Sequence, residues 1–377
     1  MTDGGFWPIN GGNELKGSPK IKVIGVGGGG SNAVSRMFTT PIPGVEYIVS
    51  NTDAQALQRN QAPLRVQLGG ELTRGLGVGG DPETGRMSAE ENREELSSLL
   101  KGADMIFLAA GMGGGTGTGA TPTIAEVARE SGALTVAVVT KPFSFEGSRR
   151  RGVAEEGVRR LKDKVDSLIV IPNDRLSIVC DETVTLSNAF QMADDVLSQG
   201  VRAIAELVTV PGEINLDFAD VKTVMSQAGP AWMGIGWGRG QDRAVQAARA
   251  AVACPLLEVS IEGSKGVLFN ITGGVNLTLA EVQGAADCIS QVVDPDVNIF
   301  FGMATDPALE DEVKVTIIAT GFPSSESLIT IRDTELAQLI SNGSSGGTDH
   351  ELDIDLPPFL RHSPIARQRM NIQMNGL

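Results

Sequence analysis

The amino-acid sequence predicts an α/β protein: a mostly parallel sheet with helices on both faces, a long central helix, and a smaller mixed α/β second domain. Three observations carry this. Short apolar runs alternate with helix-periodic segments up to about residue 184, the pattern of a parallel sheet wrapped in helices. Two of those runs empty into glycine-rich loops that open helices. Thr185 to Leu207 holds no Pro and only Gly200, so it reads as one uninterrupted helix.

The elements follow in order. Residues 1–19 are rich in Gly and Asn and read as a disordered lead. Ile21 to Val26 is a strand running into glycines, and Tyr47 to Ser50 is another. Residues 103–110, Leu134 to Thr140 and Leu168 to Pro172 continue the sheet. Helical patterns sit between them, such as Ser88 to Leu100, and Thr121 to Ala128 with Pro122 in its first turn. These make a first domain over 20–184, followed by the central helix over 185–209, with Pro211 and Gly212 as the break. The segment 210–322 reads as a second α/β domain. Leu256 to Ile261, Val267 to Ile271, Val297 to Phe301 and Val313 to Thr320 are its β-like runs; Arg243 to Val252 and Thr278 to Val292 are its helices. Residues 323–350 have the Ser/Gly composition of a flexible linker, and 351–377 form a tail.

Composition removes several function classes. A net charge of −15 argues against non-specific nucleic-acid binding. Both histidines, His350 at the end of the linker and His362 in the tail, lie outside the two domains, which excludes a His-based catalytic site in the body and disfavours zinc. Cys180, Cys254 and Cys288 are widely spaced and read as free thiols. No apolar stretch approaches the roughly 20 residues that span a bilayer. The N-terminus lacks the charged and apolar regions of a signal peptide. A cytoplasmic protein without direct membrane insertion is expected.

The two glycine loops carry the chemistry. Gly113-Gly114-Gly115-Thr116-Gly117-Thr118-Gly119 stands between a buried strand and a helix. Residues without Cβ let backbone N–H groups close on phosphate, the helix dipole adds positive potential, and two threonine hydroxyls are further donors. Gly25 to Asn32 opens the first helix, and Gly25, Gly27 and Gly30 satisfy the dinucleotide fingerprint GxGxxG. Asp53 stands where a ribose-binding acid would follow. A Rossmann oxidoreductase is therefore an alternative. Against it stand the second phosphate loop and the lack of a hydride-chemistry set in the second half. There is no GxxxxGK[ST], so the chain is not a P-loop NTPase.

The two loops, with Asn51 to Leu57, Thr73 to Gly77, Val139 to Phe143, Phe145 to Gly147, Ile171 to Asp174 and Asn215 to Val221, resemble the tubulin and FtsZ family of GTPases across roughly residues 20–322. One departure is Gly79-Gly80-Asp81-Pro82, where the family more often has Asn before Pro. The resemblance implies GTP as substrate and GDP as product. Gly28, Gly29, Gly30, Ser31 and Asn32 would line the α- and β-phosphates and the base side. Gly113, Gly114, Gly115, Thr116, Gly117 and Thr118 would hold the β- and γ-phosphates. Glu146 would accept from ribose hydroxyls, Arg150 would be a nearby cation, and Phe190 would pack on the base. Asp194 would accept from guanine N1–H and the 2-amino group together, a pattern that adenine lacks. Read as residues alone, Asp194 and Asp195 better suit a solvated helix face, and Glu146 with Arg150 a surface i,i+4 pair; the resemblance reverses that preference.

The resemblance also implies that Asp217 and Asp220, helped by Asn215, polarise water on the nucleotide of the next subunit in a head-to-tail filament. The alternative for Asp220 is an N-cap ahead of Val221. Mg²⁺ would sit mainly on phosphate oxygens and water, in keeping with its preference for few protein ligands. Asp353 to Arg361 resembles the family's C-terminal peptide, which docks adaptors that tether filaments to the membrane at the division site. A filament protein that binds GTP without hydrolysing it is a third class; the intact Asp217 and Asp220 argue against it.

Overall fold

The computed structural model describes residues 19–176, 185–209, 212–214, 216–254, 263–294 and 296–322. The expectations for the N-terminal lead, Leu256 to Ile261, Asn215, the linker and the tail fall outside these residues.

The first half alternates β1 (Ile21–Val26), α1 (Gly27–Thr39), β2 (Val45–Asn51), α2 (Ala54–Arg59), β3 (Leu64–Gln67) and α3 (Gly70–Thr73). It continues through α4 (Pro82–Glu91), α5 (Arg93–Leu100), β4 (Met105–Gly111), α6 (Thr116–Glu130), β5 (Leu134–Lys141), α7 (Ser148–Lys162) and β6 (Ser167–Pro172). The long helix α8 (Leu186–Thr209) and the short α9 (Phe218–Met225) come next. Then follow β7 (Gly229–Arg239), α10 (Arg243–Val252), β8 (Gly266–Gly273), α11 (Leu279–Ser290), β9 (Asn298–Thr305) and β10 (Glu312–Thr320).

Among the described residues the strands form one sheet in the order β3-β2-β1-β4-β5-β6-β7-β10-β8-β9. From β3 to β7 all neighbours are parallel. β10 runs antiparallel to β7 and β8, and β9 parallel to β8. The period-2 alternation of each strand sends its residues to two cores. Ile21 and Val23 of β1 pack with Ala33, Val34 and Met37 of α1 and with Leu197, Val201 and Ile204 of α8. Ile24 and Val26 face the other way, toward Leu96 and Leu100 of α5 and Ala120 and Ile124 of α6. Strands buried on both sides explain why the sequence shows continuous apolar runs there.

Three local expectations are corrected. Ser88 to Leu100 is not one helix: α4 and α5 meet at Asn92, whose side chain accepts from Gly69 N–H (2.9 Å) and donates to Glu95 (2.8 Å). Those side-chain bonds hold Asn92 at φ −101°, ψ 17°, outside the helix. α6 starts at Thr116, so Pro122 lies in its interior and not in its first turn. Strand β7 was not anticipated, because its glycines break the apolar run. They are there for packing: a Cβ at Gly236 would overlap the carbonyl oxygen of Ala247, and one at Gly234 that of Ala251, so α10 lies flat on the strand.

Candidate functional site

Strand order reverses between β1 and β4. Ligands of open α/β sheets bind at such a switch point, at the carboxyl ends of the strands. Both glycine loops open there. The first is already the opening turn of α1: Gly28 and Asn32 are exposed and Gly29 is half-buried, while Gly30 and Ser31 are buried. The Ser31 hydroxyl turns inward to the Ser50 carbonyl (3.5 Å). In the second loop Gly114 is half-buried, and a Cβ there would meet no protein atom within 4 Å. Gly115 is packed against Val78 and Asp81. The loops interlock, since a Cβ at Gly27 would stand 2.8 Å from Gly117 N.

Both threonine hydroxyls are buried and bonded within the protein. Thr116 Oγ1 lies 2.7 Å from Thr52 Oγ1, and Thr118 Oγ1 accepts from Gly113 N–H at 2.8 Å. They shape the loop, and the accessible backbone of Gly28 and Gly114 is what the two loops present outward.

α8 packs on α1, where Asp194 and Asp195 face Arg36. Asp194 accepts a side-chain hydrogen bond from Asn32. Arg36 Nε stands 3.9 Å from Asp194 Oδ2, and its Nη1 3.1 Å from Asp195 Oδ1. Burial pushes the Asp194 carboxyl up to about 6; Asp195 adds to the rise, while Arg36 and Asn32 oppose it. With its side chain 18% exposed, Asp194 is not on a solvated helix face.

Phe190 is 40% exposed and meets Phe143 edge-on at 5.6 Å and Phe145 at 6.2 Å, while Phe143 and Phe145 stack at 5.0 Å. Glu146 accepts from Phe143 N–H through one oxygen (2.8 Å) and pairs with Arg150 through the other (2.5 Å). The i,i+4 geometry anticipated for that pair is therefore present. Sequence reading gave no role to Asn173. It stands just past β6, on the same edge of the sheet as the glycine loops, and its buried Oδ1 has no partner among the described residues. A buried acceptor left open is costly unless a ligand donor fills it. No signal in the sequence separates this Asn from its neighbour Asp174.

Asp217 and Asp220 are not brought to this site. Asp217 is the N-cap of α9, and Asp220, in its first turn, accepts from Asp217 N–H at 3.3 Å. The cap is thus Asp217 and not Asp220. The segment before them is pinned to edge strand β9 by reciprocal bonds between Ile214 and Met303 (3.2 and 2.9 Å). It lies beyond the far end of α8. From Asp194 to that end the helix runs about 22 Å, at roughly 1.5 Å per residue.

Two further carboxylates are spent on helix ends. Asp53 caps α2, accepting from the N–H groups of Gln55 (2.8 Å) and Ala56 (3.1 Å), and so does not reach for a ribose. Asp81 caps α4 through Glu83 and Thr84, and the Thr84 hydroxyl and these N–H groups hold its carboxyl below the usual range. Among the described residues no group of three or more His, Cys, Asp or Glu could hold a metal ion.

Residues 20–181 match the GTPase domain of the Tubulin/FtsZ family, and residues 229–323 match the FtsZ family C-terminal domain. The empty FtsZ dimer of M. jannaschii superposes with a TM-score of 0.78 at 43% identity, covering 81% of this chain and 89% of that one. The chain belongs to the FtsZ family. A mutant of the M. jannaschii FtsZ gives the same TM-score and identity, over 92% of its length. CetZ2 from Haloferax volcanii, a GTPγS-bound protofilament, shares the fold at 20% identity and a TM-score of 0.68, over 86% of this chain and 100% of that one. The FtsZ membership sets the dinucleotide alternative aside: the switch-point crevice belongs to a GTPase domain, whose family binds GTP and GDP. Among the described residues no helix of this FtsZ-family chain is long and apolar enough to cross a membrane.

Proposed function

We propose that this chain hydrolyses GTP at a site shared by two copies stacked head to tail, and that the resulting filaments build the cell-division ring. One observation carries the reading: the nucleotide crevice and the acidic pair Asp217 and Asp220 stand at opposite ends of α8. A copy cannot turn its own carboxylates on its own nucleotide. Stacking two copies along α8 sets the acidic loop of one over the crevice of the next. The M. jannaschii relative is described as a dimer and CetZ2 as a protofilament, which supports self-association of this kind.

In this scheme Asp194, steadied by Asn32, accepts from guanine. The backbone at Gly28, Gly29 and Gly114 faces the phosphates, with Gly30, Ser31, Gly113, Gly115, Thr116, Gly117 and Thr118 shaping the cradle. Glu146 and Arg150 face the sugar, and Phe190 packs against the base. Mg²⁺ would be held mainly through the phosphate oxygens and water, and there would supply neutralisation of phosphate charge. From the neighbouring copy Asp217 and Asp220, with Asn215, orient and polarise the attacking water. The contact is heterologous and open, so it propagates into a filament. Asp353 to Arg361 docks a membrane-tethering adaptor, which holds the filaments on the inner face of the membrane at the division site.

GTPase activity per mole, measured against protein concentration with light scattering beside it, tests the shared site. Activity rises at the concentration where scattering rises. Constant specific activity down to high dilution rejects the shared site.

A further inference from the structure

We propose that Gly157, in the middle of α7, is a positioning residue for the phosphate loop, acting through the rotamer of Thr118. The inference rests on the reading of that loop as the phosphate cradle.

A glycine inside a helix weakens it relative to alanine, so its presence needs a reason. Gly157 lies in the buried stripe Ala154, Gly157, Leu161 of α7, and its φ is not positive, so the backbone does not require it. The reason is space. A Cβ at Gly157 would overlap the Thr118 methyl, Cγ2, with Met112 Sδ at 3.4 Å behind it. The methyl of Thr118 therefore sits in the notch that Gly157 leaves.

That methyl is tied to the loop. Thr118 is 3% exposed, and its Oγ1 accepts from Gly113 N–H at 2.8 Å, closing the turn of residues 113–118. Gly113 is held at φ +100° at the start of that turn. Oγ1 and Cγ2 share one Cβ and rotate together about χ1. Any rotation that clears a methyl placed on residue 157 swings Oγ1 away from Gly113 N–H and orphans a buried donor. The other escape is to push α7 outward, which moves Arg150: a Cβ on Gly113 would already stand 3.0 Å from the Arg150 carbonyl. Either route distorts the turn that presents Gly114.

A double-mutant cycle tests this. GDP affinity of the full chain is titrated with a fluorescent GDP analogue, at protein concentrations too low for assembly. Thermal unfolding without nucleotide is measured beside it. Gly157→Ala weakens GDP at least about tenfold in the parent background. In the Thr118→Ser background, which lacks Cγ2 and keeps Oγ1, the same substitution costs less than about threefold. An equal cost in both backgrounds, or unchanged affinity in Gly157→Ala alone, overturns the proposal. Thr118→Val, which keeps Gly157 and removes the acceptor, covers the case in which Gly157→Ala fails to fold; it too loses at least about tenfold, and parent-like affinity overturns the proposal. Gly114→Val separates this inference from the reading beneath it, since a side chain there meets open space. Parent-like GDP binding in Gly114→Val rejects the phosphate-loop reading itself. Loss of binding there, with none in Gly157→Ala, rejects only the role of Gly157.

Discussion

Asn32 on α1 donates a side-chain hydrogen bond to Asp194 on α8, and the Arg36 guanidinium stands 3.9 Å from the same carboxylate. Residues 162 positions apart are thus joined at the point where the guanine base is proposed to sit. The carboxylate is buried enough that its partners do not fully compensate the cost of its charge.

If the base is read by Asp194 as proposed, nucleotide binding is expected to depend on pH. The Asp194 carboxyl is raised from 3.8 to about 6, so the free protein is favoured by its neutral form. That contribution to stability is complete below pH 3.8 and is lost as pH rises through about 6. Two guanine N–H donors need the ionised form instead. GDP affinity is expected to fall about tenfold for each pH unit below the carboxyl's value, and Asp194→Asn is expected to remove this component. Affinity titrations from pH 5 to 8 on both proteins check it. Profiles that run parallel place base recognition elsewhere.

Asp220 closes back on Asp217 N–H, so a loss of activity on mutation could come from the cap or from the charge. Asp220→Asn separates them, because an amide oxygen still accepts that bond. GTP binding and thermal stability are expected to stay near the parent, while assembled filaments lose hydrolysis by two orders of magnitude or about that. Mixing with Gly114→Val should return part of the activity, since the junction that sets the Asp220→Asn nucleotide against the other protein's loop is complete. Full activity in Asp220→Asn alone excludes a charged role.

The glycines of β7 make a stability prediction far from the nucleotide. Gly236→Ala puts a methyl into the Ala247 carbonyl and forces α10 off the sheet. The expected cost is on the order of 1–3 kcal/mol or more, the range for overpacking a filled core. Thermal and urea unfolding measure it. Gly240→Ala is a poor control because Gly240 has φ +74°; Gly152→Ala, where a Cβ meets nothing within 4 Å, is the proper one and should be neutral or stabilising.

Sequence by itself determined the parallel sheet, the long helix and the two glycine loops. These are local facts: strands buried on both faces must be apolar throughout, and a loop that must admit phosphate must lack Cβ atoms. It did not reveal β7, because glycines selected for contact with α10 look like a loop when the helix is out of view. It could not choose between a solvated and a buried Asp194, because the burial comes from α1, which meets α8 only in the folded chain. Tertiary structure also turned the Thr116 hydroxyl inward to Thr52, 64 residues away. It set Asp217 and Asp220 beyond the far end of α8. Residue types state what a side chain can do; where its partners stand decides which of those things it does, and partners distant in sequence are fixed only when the elements that carry them pack.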